Sequence, residues 1–215
     1  MPRIYLLRHA ESEANIKGIL AGPDNSVKLS TFGIKQSIKL SRYLKDFDFN
    51  QIYCSPIYRC HQTILPLLES KPKVKLIQDK NLREMNYGDW NGKKLSDLAK
   101  RREWKLIQDS PGTFKFVNGE SFIQLRKRVQ NFLETAQAIT EPILVVSHGD
   151  VLKMILTCTI GQQINVFQKF AISPASLSII EYGKKDKRII STNQRIAKGS
   201  ALQKLIGYLP GGENV

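Results

Sequence analysis

A chain of 215 residues that is 41% hydrophobic is long enough to bury one sizeable core, which excludes disorder as a description of the whole. Lys and Arg number 33 against 19 Asp and Glu, and the resulting charge of +14 attracts anions (phosphorylated metabolites, nucleic acid, acidic lipid) without choosing among them. Three cysteines with no Cys-x-x-Cys pair argue against a disulfide framework and against a zinc site, and they fit a reducing cytoplasm; no apolar run approaches a membrane span, and Met1–Leu7 is too short for a signal segment.

Ile4-Tyr5-Leu6-Leu7 is a short β-rich run that reads as a buried strand, and it stops at Arg8-His9. A cation and an imidazole therefore stand at a strand's C-terminal end, where open α/β sheets bind ligands. Ser12 to Lys17 reads as a short helix, and Gly22-Pro23-Asp24-Asn25-Ser26 as a loop. A helix starts at Ser30 or Thr31 and runs to about Lys45, with Ile34, Ile38, Ser41 and Leu44 on its inner face. Gln51–Cys54 is a strand; Ser55-Pro56 then reads as a helix cap and first residue, with Arg59 in the first turn and Pro66 ending or kinking the helix. Val74–Ile77 is a further strand.

Leu82–Gly92 has neither period and holds Glu84, Tyr87, Trp90 and two glycines, so it is a loop with a reason to be there. Tyr87 and Trp90 either line a pocket or pack in the core. Lys94 to about Ile107 reads as one basic helix, followed by a loop around Ser110-Pro111-Gly112. Ser121 with Gln124 makes a capping box for a helix to about Ile139, whose core stripe is Phe122, Leu125, Val129, Phe132, Leu133 and Ala136. Ile143–Val146 is a strand buried on both faces; it ends in Ser147-His148-Gly149-Asp150, with a helix from about Val151 to Thr159. Leu177–Tyr182 and Arg188–Ser191 read as a hairpin whose Lys184, Lys185, Lys187 and Arg188 form a solvated tip, and the tail from Thr192 is polar and basic with mobile last residues. The organisation expected is one domain over 1–192 and a basic tail over 193–215.

Alternating strands and helices predict an α/β fold with a mostly parallel sheet, which brings Arg8-His9, Ser55 with Arg59, and Ser147-His148 to one edge. Two arginines and two histidines there suit a phosphoryl group, because guanidinium forks match its oxygens and helix N-termini add partial positive charge. An imidazole among arginines has its protonated form disfavoured, stays nucleophilic, and can attack phosphorus. Glu84 is the carboxylic acid that could protonate the leaving alkoxide. No carboxylate cluster suggests a metal, so arginine balances the phosphoryl charge and no cofactor is expected. His61 reads as a surface residue, Cys54 and Cys60 as packing residues, and Asp150 as a helix-dipole partner or a modulator of His148.

Six stretches in order carry a resemblance. They are Leu7–Asn15, Leu29-Ser30-x-x-Gly33-x-x-Gln36, Cys54-Ser55-Pro56-x-x-Arg59-x-x-Gln62-Thr63, Leu82-Arg83-Glu84-x-x-Tyr87-Gly88-x-Trp90-x-Gly92, Gly119-Glu120-Ser121 and Val145-Val146-Ser147-His148-Gly149. Together they resemble the histidine phosphatase (phosphoglycerate mutase-like) superfamily from residue 4 to about 182. Ala10, where the family more often has glycine, and Asn118, in place of proline or glycine, depart from it.

The resemblance implies a three-layer α/β/α sandwich. It also implies that His9 is the phosphorylated nucleophile, that Arg8, Arg59 and His148 bind the phosphoryl group with Asn15 facing the same pocket, and that Glu84 donates the proton. The expectation is a metal-independent phosphatase acting on a small acidic phosphomonoester, such as a sugar phosphate or a phosphorylated acid. A cofactor-dependent phosphoglycerate mutase uses the same residues, but the short segment between Glu84 and His148 favours a phosphatase. A nucleic-acid-binding protein on the same scaffold would explain the charge, yet no aromatic interleaving or basic stripe supports it. Neither the individual substrate nor the oligomeric state is legible.

Overall fold

A computed structural model describes residues 2–183 and 186–196. Six strands form one sheet in the order β3-β2-β4-β1-β5-β6, built from β1 (Arg3–Arg8), β2 (Gln51–Cys54), β3 (Lys75–Gln78), β4 (Ile143–Ser147), β5 (Ser176–Tyr182) and β6 (Lys187–Arg195). The first four listed in that order run parallel, while β5 is antiparallel to both β1 and β6. The expected three-layer α/β/α architecture with a mostly parallel sheet is therefore present.

Side chains alternate across the pleat and feed two cores. From β1 and β4, Tyr5, Leu7, Leu144 and Val146 pack against α2 (Thr31–Leu44) and α3 (Tyr58–Ser70). On the opposite face, Ile4, Leu6, Ile143 and Val145 meet α6 (Phe122–Gln137) and α7 (Gly149–Thr159). The stripe expected on α6, from Phe122 through Ala136, is buried throughout, and both halves of the Ser121/Gln124 capping box are made. Between β1 and α2 lies the one-turn α1 (Glu13–Ile16), and α4 (Leu95–Leu98) and α5 (Arg102–Asp109) lie between β3 and α6.

Several local expectations are corrected. The inner face of α2 is Gly33, Ser37, Leu40, Ser41 and Leu44, whereas Ile34 and Ile38 are 49% and 41% exposed. Small residues let this helix approach its neighbours closely, and that need outweighs the burial of two isoleucines. The helix after β2 begins at Tyr58 with Ile57 as its cap, and the Ser55 hydroxyl accepts the Ile57 N–H at 3.3 Å while lying 2.8 Å from His148 Nε2. Pro66 lies inside α3, which continues to Ser70. The basic segment after Lys94 is two helices, α4 and α5, interrupted at 99–101. At the hairpin tip Arg188 pairs with Glu181 at 2.6 Å and the Lys187 ammonium lies over Tyr182, so these two cations are engaged; Lys184 and Lys185 lie outside the described residues. Strand β6 runs through Thr192 to Arg195, and the tail beyond 196 likewise lies outside them.

Candidate active site

Because β2, β4 and β1 are adjacent and parallel, their C-terminal ends deliver Ser55, Ser147-His148 and Arg8-His9 to one edge. A cavity of about 540 Å³ opens there, lined by Arg8, His9, Asn15, Arg59 and Glu84 among others, and His148 lies against them. All six residues expected at the site are thus brought together. His61 is half-buried on α3 and does not line the cavity.

His9 is held at both ends of its peptide unit. Its N–H donates to the Ser147 carbonyl at 2.9 Å, and its carbonyl accepts from the Ala175 N–H at 3.1 Å. Ala175 holds φ 57°, a left-handed conformation that costs an alanine about 1–2 kcal/mol. The His9 Nδ1 lies 2.7 Å from the Ala10 carbonyl, which can only accept, so Nδ1 carries the proton and Nε2 keeps its lone pair. Ala10 does not need the left-handed region, which is why alanine serves there. Asn118 does adopt it, at φ 56°, and asparagine is among the few side chains that tolerate it.

The second histidine is oriented by its neighbours. Arg59 Nη2 donates to His148 Nδ1 at 3.1 Å, so the His148 proton sits on Nε2, which lies 2.8 Å from the Ser55 hydroxyl. The two rings stand edge to face with centroids 5.2 Å apart. Burial, followed by the charges of Arg59 and Arg8, holds the pKa of His9 well below the usual imidazole value. His148 is lowered likewise by burial, then by Arg59 and His9. Both rings are therefore neutral, and the 3.9 Å approach of Glu84 Oε2 to His148 Nδ1 is not an ion pair.

The two guanidiniums are anchored through backbone carbonyls. Arg59 donates to Asp24 O and Gly22 O at 3.0 and 2.9 Å, and Arg8 to Ile172 O at 2.5 Å. Arg8 also lies against Gly149, where a Cβ would come within 3.3 Å of its Cζ. In both residues the buried Nε–H has no protein acceptor. Two such donors beside neutral imidazoles suit an anionic oxygen ligand.

Glu84 accepts from the Met85 N–H at 2.9 Å, and its loop is tied to the sheet by Ser147 Oγ donating to Leu82 O at 2.7 Å. Burial and then the Asp150 charge push its carboxyl up to about 7, so near neutrality it carries a proton part of the time. Asp150, at the N-terminus of α7, accepts from the Tyr87 hydroxyl at 2.9 Å and lies 3.5 Å from the Lys153 ammonium. Its effect thus falls on Glu84 rather than on His148. Asn15 spends its Oδ1 on the Ser12 N–H at 3.0 Å in a capping box for α1, leaving its amide NH2 as the remaining donor at the cavity.

Further motif positions act one step away from the cavity. Gln36 Oε1 accepts from the Glu11 N–H at 2.9 Å, Thr63 Oγ1 from the Ala10 N–H at 2.9 Å, and Gln62 Oε1 from the Leu29 N–H at 3.0 Å. Ser30 donates to the Glu11 carboxylate at 2.7 Å while capping α2. Gln36, Thr63 and Ser30 clamp the loop that follows His9, and Gln62 holds the chain just before α2. Their signal in the sequence was motif position alone, with no chemistry of their own to announce them. Cys60 packs in the core with its Sγ 3.4 Å from His148 Nε2, and burial pushes its thiol up to about 12 and leaves it unreactive.

A parallel sheet edge bearing two neutral imidazoles, two guanidiniums and a carboxyl poised near neutrality defines a phosphotransfer enzyme of the phosphatase type. Residues 4–195 match the model of the histidine phosphatase superfamily (branch 1), and the chain belongs to that family. Phosphoserine phosphatase 1 of Hydrogenobacter thermophilus is 28% identical over 200 residues, covering 90% of this chain and 92% of its own length. Adenosylcobalamin/alpha-ribazole phosphatase of Escherichia coli is 29% identical over 205 residues, covering 90% and 96%. Among solved structures, the alpha-ribazole phosphatase from Shigella flexneri superposes with a TM-score of 0.78 at 27% identity, covering 91% of this chain and 98% of that one. Among the described residues, no helix is long and apolar enough to cross a membrane.

Proposed function

We propose that the chain hydrolyses a small phosphomonoester through a phosphohistidine on His9. The observation that carries this reading is the division of labour between ring nitrogens. The Nδ1 proton of His9 is occupied by Ala10, and its Nε2 lone pair remains beside guanidinium donors that have no protein acceptor.

In the first step Nε2 attacks phosphorus, the P–O bond to the alcohol breaks, and the proton on Glu84 passes to the leaving alkoxide. Arg8 and Arg59 hold the phosphoryl oxygens, with Asn15 as an additional donor, and balance the charge that spreads over them in the transition state, while His148, accepting from Arg59 at Nδ1 and giving its Nε2 proton to Ser55, fixes the Arg59 guanidinium beside them. In the second step the Glu84 carboxylate takes a proton from water, the resulting hydroxide attacks phosphorus, and the P–N bond breaks to release phosphate and regenerate His9. A carboxyl pushed up to about 7 can give the proton and then take one back at neutral pH. The arginines supply the positive charge, so the reaction proceeds without a metal or other cofactor. Three unpaired cysteines suit a reducing compartment such as the cytoplasm.

The test is phosphate release from a panel of phosphomonoesters in the presence of EDTA, comparing wild type with His9→Ala and trapping an acid-labile, alkali-stable phosphoenzyme. Release that is abolished in His9→Ala, with label confined to wild type, is the expected result. A long-lived phosphoenzyme without release would indicate a mutase instead. No release and no label would reject phosphotransfer altogether.

A further inference from the structure

The part of the cavity beyond the phosphoryl-binding groups has a different chemistry. Its walls include Trp90, Trp104, Phe116, Phe170 and Ile107. The Trp90 and Trp104 rings lie near-parallel at 12° with centroids 6.4 Å apart, and Phe116 meets Trp90 edge to face at 5.4 Å. Among the described lining residues the only cation besides Arg8 and Arg59 is Lys153. Its ammonium is already engaged, 3.5 Å from Asp150 Oδ1, donating to Gln168 Oε1 at 3.0 Å and lying over the Phe167 ring. A carboxylate or second phosphate on the substrate would meet no unengaged cation there, and its burial against aromatic walls would be costly. A small acid would also leave the aromatic stretch of an approximately 540 Å³ cavity wetted.

We infer that the alcohol carried by the phosphoryl group is uncharged and presents a flat aromatic or heteroaromatic ring to these walls. The inference rests on the phosphatase reading above and narrows its substrate class. It also separates the +14 charge from substrate choice: of the cavity's cations Arg8 and Arg59 serve the phosphoryl group and Lys153 is held by Asp150 and Gln168, and the other cations among the described residues do not line it.

The experiment compares kcat/KM for 2-naphthylmethyl phosphate and benzyl phosphate with that for phosphoserine and 3-phosphoglycerate. All four release a primary alkoxide, so differences report the pocket rather than the leaving group. The expected order places 2-naphthylmethyl phosphate first, by about tenfold or more over the acidic esters. Trp104→Ala should shrink that ratio mainly through KM. Leu95→Lys, at a cavity position that is 38% exposed and so tolerant of substitution, should shift the preference toward the acidic esters. Acidic esters turned over as well as the aromatic ones, or a ratio that neither variant moves, would overturn the inference while leaving the phosphatase reading intact. Failure of all four esters to release phosphate or label the protein would overturn both.

Discussion

Nε2 of His148 lies 2.8 Å from the hydroxyl of Ser55, and this contact, with Arg59 at Nδ1, fixes the tautomer of the ring. Arg59 requires a lone pair on Nδ1, so the proton resides on Nε2 and Ser55 accepts it. Ser55→Ala removes that acceptor and strands a buried N–H, a cost of about 1–3 kcal/mol that is relieved if the ring changes tautomer. The expected outcome is a folded protein whose His148 nitrogen-15 shifts reveal a mixed tautomer population and whose kcat/KM falls about tenfold, equivalent to about 1.4 kcal/mol. An unaltered His148 spectrum beside reduced activity would show that Ser55 acts in some other way.

Activity should fall as pH rises past neutrality. Glu84 must be protonated to serve the leaving group, and its carboxyl is pushed up to about 7 by burial and then by Asp150. His9, lowered by burial and the two arginines, stays neutral well below the usual imidazole value, so the acid limb lies on the far side of that value. Removing the Asp150 charge stabilises the Glu84 carboxylate. Asp150→Asn should therefore move the basic limb of kcat to lower pH while retaining an amide oxygen for the Tyr87 hydroxyl. A basic limb that stays in place would mean that another group controls it.

Much of this site is legible in the sequence, and the reasons are physical. Leu125, Val129, Phe132 and Ala136 announce α6 because an apolar stripe at helical spacing must face a core. His148 follows a continuous β-rich run, so its place at a strand end was legible too. The face of α2 was not, because Gly33, Ser37 and Ser41 are buried for their small size, and hydropathy does not register size. The Ser-Pro pair at 55–56 carries the local signal of a helix cap, and that signal says nothing of the imidazole beyond another strand's end that the same hydroxyl meets. The Tyr87–Asp150 pair joins residues far apart in the chain, and no local pattern could connect them.

Glu84→Gln separates proton donation from phosphoryl binding. The amide keeps an oxygen for the Met85 N–H but has no proton to give. With alkyl phosphates kcat should fall by about 10²–10⁴, the usual worth of general acid catalysis. With 4-nitrophenyl phosphate, whose leaving group departs without protonation, phosphoenzyme formation should be far less affected and observable as a burst in a rapid-mixing experiment. Equal losses with both ester types would remove Glu84 from the acid's role.

The same substitution should alter how stability depends on pH. His9 and His148 are neutral when folded, while the unfolded chain takes up their protons below about pH 6.5, so their contribution is present above that value and lost as pH falls through it. Glu84 has the opposite sign. Its folded pKa is raised to about 7, so its contribution is complete below the unfolded value of about 4.3 and lost as pH rises toward 7. Between those limits two imidazoles oppose one carboxyl. Glu84→Gln deletes only the carboxyl, so urea titrations should show an acid-side decline steeper by up to about 1.4 kcal/mol per pH unit. Above pH 7 the variant should be the more stable of the two, because a buried carboxylate is no longer required. Parallel stability profiles for the two proteins would contradict this account.

Gly33 tests whether the clamp behind His9 is needed for chemistry. A Cβ at this position would lie 1.9 Å from the Glu11 carbonyl oxygen, an atom that already accepts the Ser30 N–H at 2.9 Å. Either α2 retreats or the loop from Ala10 to Glu11 shifts, and the Gln36 and Ser30 side chains hold that loop against retreat. Because displacements of about 1 Å can cost about 100-fold in rate, Gly33→Ala should depress kcat far more than substrate binding at the distal aromatic wall. Overpacking of this kind typically costs about 1–3 kcal/mol, which is measurable as a lowered Tm in a protein that still folds. Ser37→Ala is the matched control on the same buried face; it removes an atom instead of adding one, and its kcat should remain near wild type. If both variants lose activity in proportion to stability, the loss is one of folding. A selective loss in Gly33→Ala would locate the requirement in the position of the loop that carries the nucleophile.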